Sequence, residues 1–167
     1  MTEDLHIRAT QPAEAPAILA ITRETGVFSA EEIDTLDELL RDYANLGPKQ
    51  SGYYFLSGVQ SGQLVGYVCY GPRAFTQGTF DIFWICSQPA AQGQGIGSAL
   101  SRQAERDIAA MGGRLAIIET STLPDYEPAR RLYEKLRYRR EAVIKDFYHQ
   151  GDGLVLYSKR VDRPDED

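Results

Sequence analysis

Ser87-Gln88-Pro89-Ala90-Ala91-Gln92-Gly93-Gln94-Gly95-Ile96-Gly97-Ser98-Ala99-Leu100 joins an apolar, strand-like run to an amphipathic helical pattern through a glycine-rich turn. Glycines at every second position, 93, 95 and 97, free the backbone to turn its N–H groups inward. The unpaired amides and positive dipole end of the following helix add to them. Together they make an anion cradle suited to a pyrophosphate. A glycine-rich turn that merely caps a helix is the plainer alternative.

Spacing narrows the ligand. A P-loop requires G-x-x-x-x-G-K-[ST], and no lysine follows these glycines. A dinucleotide fingerprint requires G-x-G-x-x-G directly after the strand, whereas the glycines here run G-x-G-x-G after a five-residue connection containing Pro89. Glu119 lies 22 residues beyond Gly97, about where a ribose-binding acid would fall, so a dinucleotide-binding enzyme stands as an alternative.

The elements on either side follow from periodicity and punctuation. Upstream, Thr79 to Cys86 is apolar almost throughout except Asp81, the pattern of a central strand covered on both faces. Tyr53 to Val59 and Leu64 to Tyr70, joined by Gln60-Ser61-Gly62-Gln63, read as a hairpin that Gly71-Pro72 breaks. Leu5-His6-Ile7-Arg8 alternates as a short strand, and the helix after it carries Pro16 in its first turn with Ala17, Ile18 and Ile21 facing inward. Ser29 with Glu32 forms a capping box for a second helix, whose stripe is Ile33, Leu36, Leu40 and Tyr43 and whose stop is Gly47-Pro48. Downstream, Ile96, Leu100, Ala104, Ile108 and Met111 share one helical stripe that Gly112-Gly113 ends. Leu115 to Ile118 predicts a short buried strand with Glu119 at its C-terminal tip, parallel to its predecessor across the helix. A last helix over 124–136 and a hairpin of Ala142 to Tyr148 with Leu154 to Lys159 complete the order β-α-α-β-β-β-α-β-α-β-β, a single α+β domain over residues 1–167.

Composition bounds the partners. A net charge of -6 argues against non-specific nucleic-acid binding, which needs a basic surface. Charge is unevenly spread: residues 24 to 42 hold seven acids and one base, residues 130 to 145 seven bases and two acids. Two solvated helix faces account for this; alternatively the basic segment lies near an anionic cofactor and the acidic one near a cationic amine. Cys69 and Cys86 sit inside apolar runs as small core residues of a reduced protein, and His6 and His149 stand apart from them, so no metal spacing exists. The acidic start Met1-Thr2-Glu3-Asp4 lacks an apolar leader and no run approaches 18 apolar residues, so a cytoplasmic location without membrane association is expected.

One motif does fit the turn: [QR]-x-x-G-x-[GA], filled by Gln92, Gly95 and Gly97. It resembles the coenzyme A pyrophosphate motif of the GNAT acetyltransferase superfamily. The final third is also similar to that superfamily, whose members carry N-x-x-A-x-x-x-Y-x-x-x-G-[FY]; Ala129, Tyr133 and Tyr138 fill the matching places. Two positions depart, with Tyr126 where asparagine is usual and Arg137 where glycine is usual.

The resemblance implies a mixed, mostly antiparallel sheet with a splayed parallel pair at its centre and helices on both faces. It implies acetyl-CoA as cosubstrate, held by Ile85, Cys86 and Ser87 at the pantetheine arm, by Gln92, Gly93, Gln94, Gly95, Ile96 and Gly97 at the pyrophosphate, and by Tyr126 and Arg130 on the last helix. The acceptor would be a primary amine, on a small molecule or a peptide, attacking the thioester directly in a ternary complex. Tyr133 would serve as general acid at the sulfur, and a buried tyrosine bonded to backbone is its structural alternative. Glu119 is the expected general base, with Asp81 on the neighbouring strand as its rival and a loop-bonding strand-end acid as the plainer reading of either. A non-catalytic acyl-CoA sensor, which would keep the cradle without acid or base, is a second alternative class. A homodimer is left open.

Overall fold

The computed structural model describes residues 4–163. In chain order they form β1 (Leu5–Ala9), α1 (Ala15–Thr25), α2 (Ala30–Ser51), β2 (Tyr54–Gln60), β3 (Gln63–Pro72), β4 (Thr79–Ser87), α3 (Ile96–Ala110), β5 (Leu115–Ser121), α4 (Glu127–Lys135), β6 (Arg139–His149) and β7 (Asp152–Arg160). The seven strands make one mixed sheet ordered β1-β2-β3-β4-β5-β7-β6. Its one parallel pair is β4 with β5, a three-rung ladder of Thr79, Phe80 and Asp81 against Leu115, Ala116 and Ile117. The expected α+β class and order of elements hold.

The chain divides into two compact units, one up to Gly71 with Trp84–Ala104, the other Pro72–Phe83 with the chain from Glu105 onward. In the first, α1 and α2 lie on one face of the sheet, where Ile18, Ile21, Leu36, Leu40 and Tyr43 pack with Phe55, Tyr67, Cys69 and Cys86. The other face receives the start of α3 at Gly66. A Cβ there would stand 2.8 Å from the Cys86 carbonyl oxygen, 2.9 Å from Ile96 Cγ2 and 3.1 Å from Leu100 Cδ1. In the second unit, Phe80, Ala116, Ile118 and Tyr157 fill one face. The opposite face carries Asp81, Ile117 and Glu119, since side chains alternate along strands and parallel partners share a face.

Local chemistry explains the boundaries. Ser29 caps α2 reciprocally with Glu32, as the sequence predicts. Gly47 does break the helix, at φ 77, but Pro48 opens another turn that runs to Ser51 before Gly52 caps it in a left-handed conformation. Ser61 and Gly62, at φ 50 and 77, form the two-residue turn between β2 and β3.

Four packing expectations are corrected. Ala17 is exposed, and Thr22, whose hydroxyl donates to the Ile18 carbonyl, takes the inward place instead. Met111 is 42% exposed because α3 ends at Ala110 and the stripe ends with it. Phe83 is 41% exposed, so β4 is not covered on both faces along its whole length. β5 runs on to Ser121, which puts Glu119 inside the strand opposite Leu156 rather than at its tip. Periodicity could not reveal the last point, because Glu119-Thr120-Ser121 owes its extended form to seven rungs with β7.

Replacing Gly66 by alanine forces a methyl against the Cys86 carbonyl and two α3 side chains, a close approach only a residue without Cβ permits. The expected loss is about 1–3 kcal/mol, read as a lowered urea midpoint with an unchanged m-value. A midpoint equal to that of the parent protein would mean that α3 yields freely at this contact.

Candidate active site

In the first unit, β4 delivers the chain to a single 3₁₀ turn over Pro89–Ala91, anchored by the buried Ala91, after which Gln92 is extended. Gly93 and Gly95 then take φ 82 and 78, the left-handed region that favours glycine. The expected role of the third glycine is corrected: Gly97 lies within α3 and has no positive φ, so two glycines, not three, turn the backbone. The first helical bond, from the Ala99 amide to the Gly95 carbonyl at 3.0 Å, leaves the amides of Ile96, Gly97 and Ser98 without an intrahelical partner. A Cβ built on Gly93 or Gly95 meets nothing within 4 Å. Donors at a helix start beside open space fit a diphosphate.

Ile85, Cys86 and Ser87 precede this turn on β4. Thr22 donates to the Ile18 carbonyl, and its Oγ1 lies 2.6 Å from the Tyr67 hydroxyl, which also bonds the Cys86 sulfur. Burial pushes that thiol up to about 11, although the bond with Tyr67 works the other way. Burial also raises the Cys69 thiol well above its ordinary value. Neither is a thiolate nucleophile near neutral pH.

The second unit brings together the two acids that the sequence left as rivals, through a residue that it did not single out. Arg73, at the close of the β3–β4 hairpin, approaches Asp81 through Nε at 2.9 and 3.1 Å and through Nη2 at 2.7 Å. The same Nη2 donates to Glu119 Oε1 at 3.0 Å. The hydrogen bond that it donates to Asp81, then that to Glu119, raises the Arg73 guanidinium above its ordinary value against the cost of burial, so it stays cationic. The Asp81 side chain is 11% exposed and Glu119's is 39%. The signal for Arg73 was available only through pairing: the hairpin returns Thr79 to Arg73, whose amide donates to the Thr79 carbonyl at 2.8 Å.

Tyr133, on α4, is buried, its ring edge-on to Tyr138 at 6.3 Å and to Tyr157 at 5.6 Å. Tyr126 is half-buried at the turn before α4. Arg130 bends back on that turn, its Nη1 donating to the carbonyls of Ser121 at 2.6 Å and Leu123 at 2.9 Å. Arg137 has φ 67, the conformation that the family's usual glycine would adopt without strain. A network unseen in the sequence supports this end of the unit: the Tyr138 hydroxyl donates to Glu105 Oε1 at 3.0 Å and Lys159 Nζ to Glu105 Oε2 at 2.9 Å. At the last residue of β5, the Ser121 hydroxyl donates to the buried Asp152 carboxylate. Among the described residues no group of three or more His, Cys, Asp or Glu could hold a metal ion. No described helix is long and apolar enough to cross a membrane.

Residues 17–138 match the sequence profile of the Acetyltransferase (GNAT) family, a span that includes parts of both units. A protein of Desulfovibrio desulfuricans assigned to the GNAT acetyltransferases is 36% identical and superposes with a TM-score of 0.90 over 94% of this chain and 99% of that one. A Salmonella typhimurium protein assigned as an acetyltransferase, solved with its cofactor acetyl-CoA, is 20% identical at a TM-score of 0.79 over 98% and 97% of the two chains. The Escherichia coli ribosomal-protein-S18-alanine N-acetyltransferase is 16% identical at 0.75 over 98% and 97%. No curated protein sequence matches this chain.

The two bonds from Arg130 tie α4 to the end of β5. Arg130→Ala is expected to cost about 1–3 kcal/mol, the loss of a charged donor from two partly buried carbonyls. Urea denaturation of the variant checks this; a stability within a few tenths of a kcal/mol of the parent would free Arg130 from a structural role.

Proposed function

Since the chain belongs to the acetyltransferase (GNAT) family, we propose that it moves an acetyl group from acetyl-CoA to a primary amine by direct attack in a ternary complex. The observation that carries this reading is the turn from Gln92 to Gly97, with two left-handed glycines, open space beside them and the first amides of α3. The thioester supplies an activated acetyl carbon; the amine nitrogen bonds to it as the carbon–sulfur bond breaks. Both cysteine thiols are buried and protonated, which favours direct transfer over a route through an acyl-cysteine.

Ile85, Cys86 and Ser87 would offer backbone groups to the pantetheine arm, with Tyr126 and Arg130 completing the cofactor contacts. Arg130 can contribute only through the guanidinium nitrogens that its two carbonyl bonds leave over. The acceptor is proposed to be a small-molecule or peptide amine.

Free energies rank the proton transfers. A lysine-like amine with a pKa of about 10.4 is neutral once in roughly 10³ to 10⁴ at pH 7, a cost of about 4–5 kcal/mol before attack. A leaving thiol near ~8.5 is already a better acid than a phenol near ~10, so a proton passed from tyrosine to thiolate runs downhill by about 2 kcal/mol. Amine deprotonation is therefore the larger demand. Glu119 is proposed to meet it, directly or through water, because its Oε2 makes no hydrogen bond among the described residues and its side chain is part-exposed. Tyr133 is proposed as the acid, on its place in the A-x-x-x-Y motif.

Three expected outcomes test the reading. Gly95→Ala adds a methyl at φ 78 where the ligand would lie, and calorimetry should find acetyl-CoA affinity lowered at least about tenfold, ~1.4 kcal/mol, in a folded protein. Undiminished affinity takes the cradle away. Tyr133→Phe should lower kcat with little change in acetyl-CoA binding; collapsed binding with kcat intact would make Tyr133 structural. Glu119→Gln, assayed by thiol release over a panel of aliphatic diamines, amino sugars and N-terminal peptides, should be most defective near neutral pH and recover as rising pH deprotonates the amine. A profile identical to the parent's removes Glu119 as the base.

A further inference from the structure

Resting on the proposal that Glu119 takes the amine proton, we infer that Arg73 is the positioning residue that sorts the two carboxylates into an anchor and a base. The contacts are unequal. Arg73 engages both oxygens of Asp81, whose side chain is 11% exposed, through Nε and Nη2. It engages Glu119 through one oxygen, Oε1, and leaves Oε2 without a hydrogen bond among the described residues. Asp81 cannot take a proton without giving up part of its two-oxygen grip on the guanidinium; Glu119 can. Arg73 is itself held at the backbone, its amide donating to the Thr79 carbonyl and its carbonyl accepting from the Thr76 hydroxyl, both at 2.8 Å. The guanidinium is thus fixed at its root by the hairpin and at its head by Asp81, and Glu119 is aimed by a rigid cation rather than a mobile one.

Charge adds a second consequence. Two carboxylates against one guanidinium leave a net charge of one negative, which favours approach of an ammonium. Other charged groups on this face are already engaged. Asp152 accepts from Ser121, two residues along β5, and Glu141 accepts from Ser158 at 2.7 Å on β7. Arg160, opposite Leu115, pairs with Asp162 at 2.7 Å. The residue directly across from Glu119 is Leu156. Among the described residues Arg73 is the charged group that bonds the Glu119 carboxylate, and Asp81 shares that guanidinium.

The test compares Arg73→Gln, Arg73→Lys, Asp81→Asn and Glu119→Gln by pH–rate profile with the fastest amine of the panel. Carboxyl carbon NMR of ¹³C-glutamate-labelled protein, with the Glu119 signal assigned from its absence in Glu119→Gln, gives a readout that needs no acceptor. Removing the cation frees the Glu119 side chain, so Arg73→Gln should lower kcat about three- to tenfold while the KM for acetyl-CoA holds, and should change the Glu119 carboxyl carbon signal. Lysine keeps the charge but not the fork, so it should restore only part of kcat. Asp81→Asn removes the two-oxygen anchor and should also lower kcat with the KM for acetyl-CoA held and the acidic limb still present. If Arg73→Gln proves unstable because Asp81 is left unpaired, the double variant Arg73→Gln/Asp81→Asn removes that charge and should show the same split between kcat and KM.

An unchanged kcat and an unchanged Glu119 signal in the Arg73→Gln protein overturn the inference while leaving Glu119 as the base. Should the signal shift as expected but Glu119→Gln retain the parent profile, the base reading fails and this inference with it. Loss of the acidic limb in Asp81→Asn would assign the proton to Asp81 and overturn both.

Discussion

The first unit depends on a missing side chain. Gly66 lets α3 settle so close to β3 that Ile96, Leu100 and the Cys86 carbonyl surround the position that a Cβ would take. Close seating of the helix start fixes its first amides, and those are the amides proposed to hold a diphosphate. Gly93 and Gly95 serve differently: their neighbourhood is open, and what they contribute is a left-handed backbone. The same residue type thus does two jobs within thirty positions, one of close approach and one of turning. Tyr67, Thr22 and Cys86 are buried together on the other face of the same strands, and it is the burial that keeps the thiol protonated.

Electrostatics in the second unit contributes orientation more than stability. Arg73 and Glu119 are both around 40% exposed, so their pairing contributes about 0–1 kcal/mol. Its value lies in geometry, since one guanidinium cannot hold two carboxylates equally once Asp81 has taken the two-oxygen position. The basic segment from 130 to 145 behaves comparably. Arg131 pairs with Glu127 at 2.6 Å, Arg140 with Glu134 at 3.0 Å, and Arg130 turns to two carbonyls. Much of a charge excess that resembled an anion-binding face is therefore engaged within the unit; the plainer reading of two solvated helix faces fits α4 but not residues 139–145, which lie on β6.

Sequence alone determined the element order, the α2 capping box, the hairpins, the glycine turn and the family, because each is local. A cap needs Ser29 and Glu32 three residues apart, a tight turn needs residues such as Ser61 and Gly62 that accept positive φ, and a motif is a spacing. Arg137 illustrates how far such locality reaches: a departure from the family's glycine was legible, and its φ of 67 shows that the backbone kept the conformation while the residue changed.

Tertiary structure decided what pairing across the sheet controls. Glu119 lies within β5 because β7 extends that strand through Ser121, and no periodicity in Leu115–Ser121 contains the information. Arg73 meets Asp81 eight positions away because a hairpin folds between them, and meets Glu119 forty-six positions away because β4 and β5 run parallel for three rungs. Composition could name two candidate carboxylates. The choice proposed between them rests on which oxygen the guanidinium leaves free, and hydrogen-bond geometry between residues distant in sequence exists only once the chain has folded.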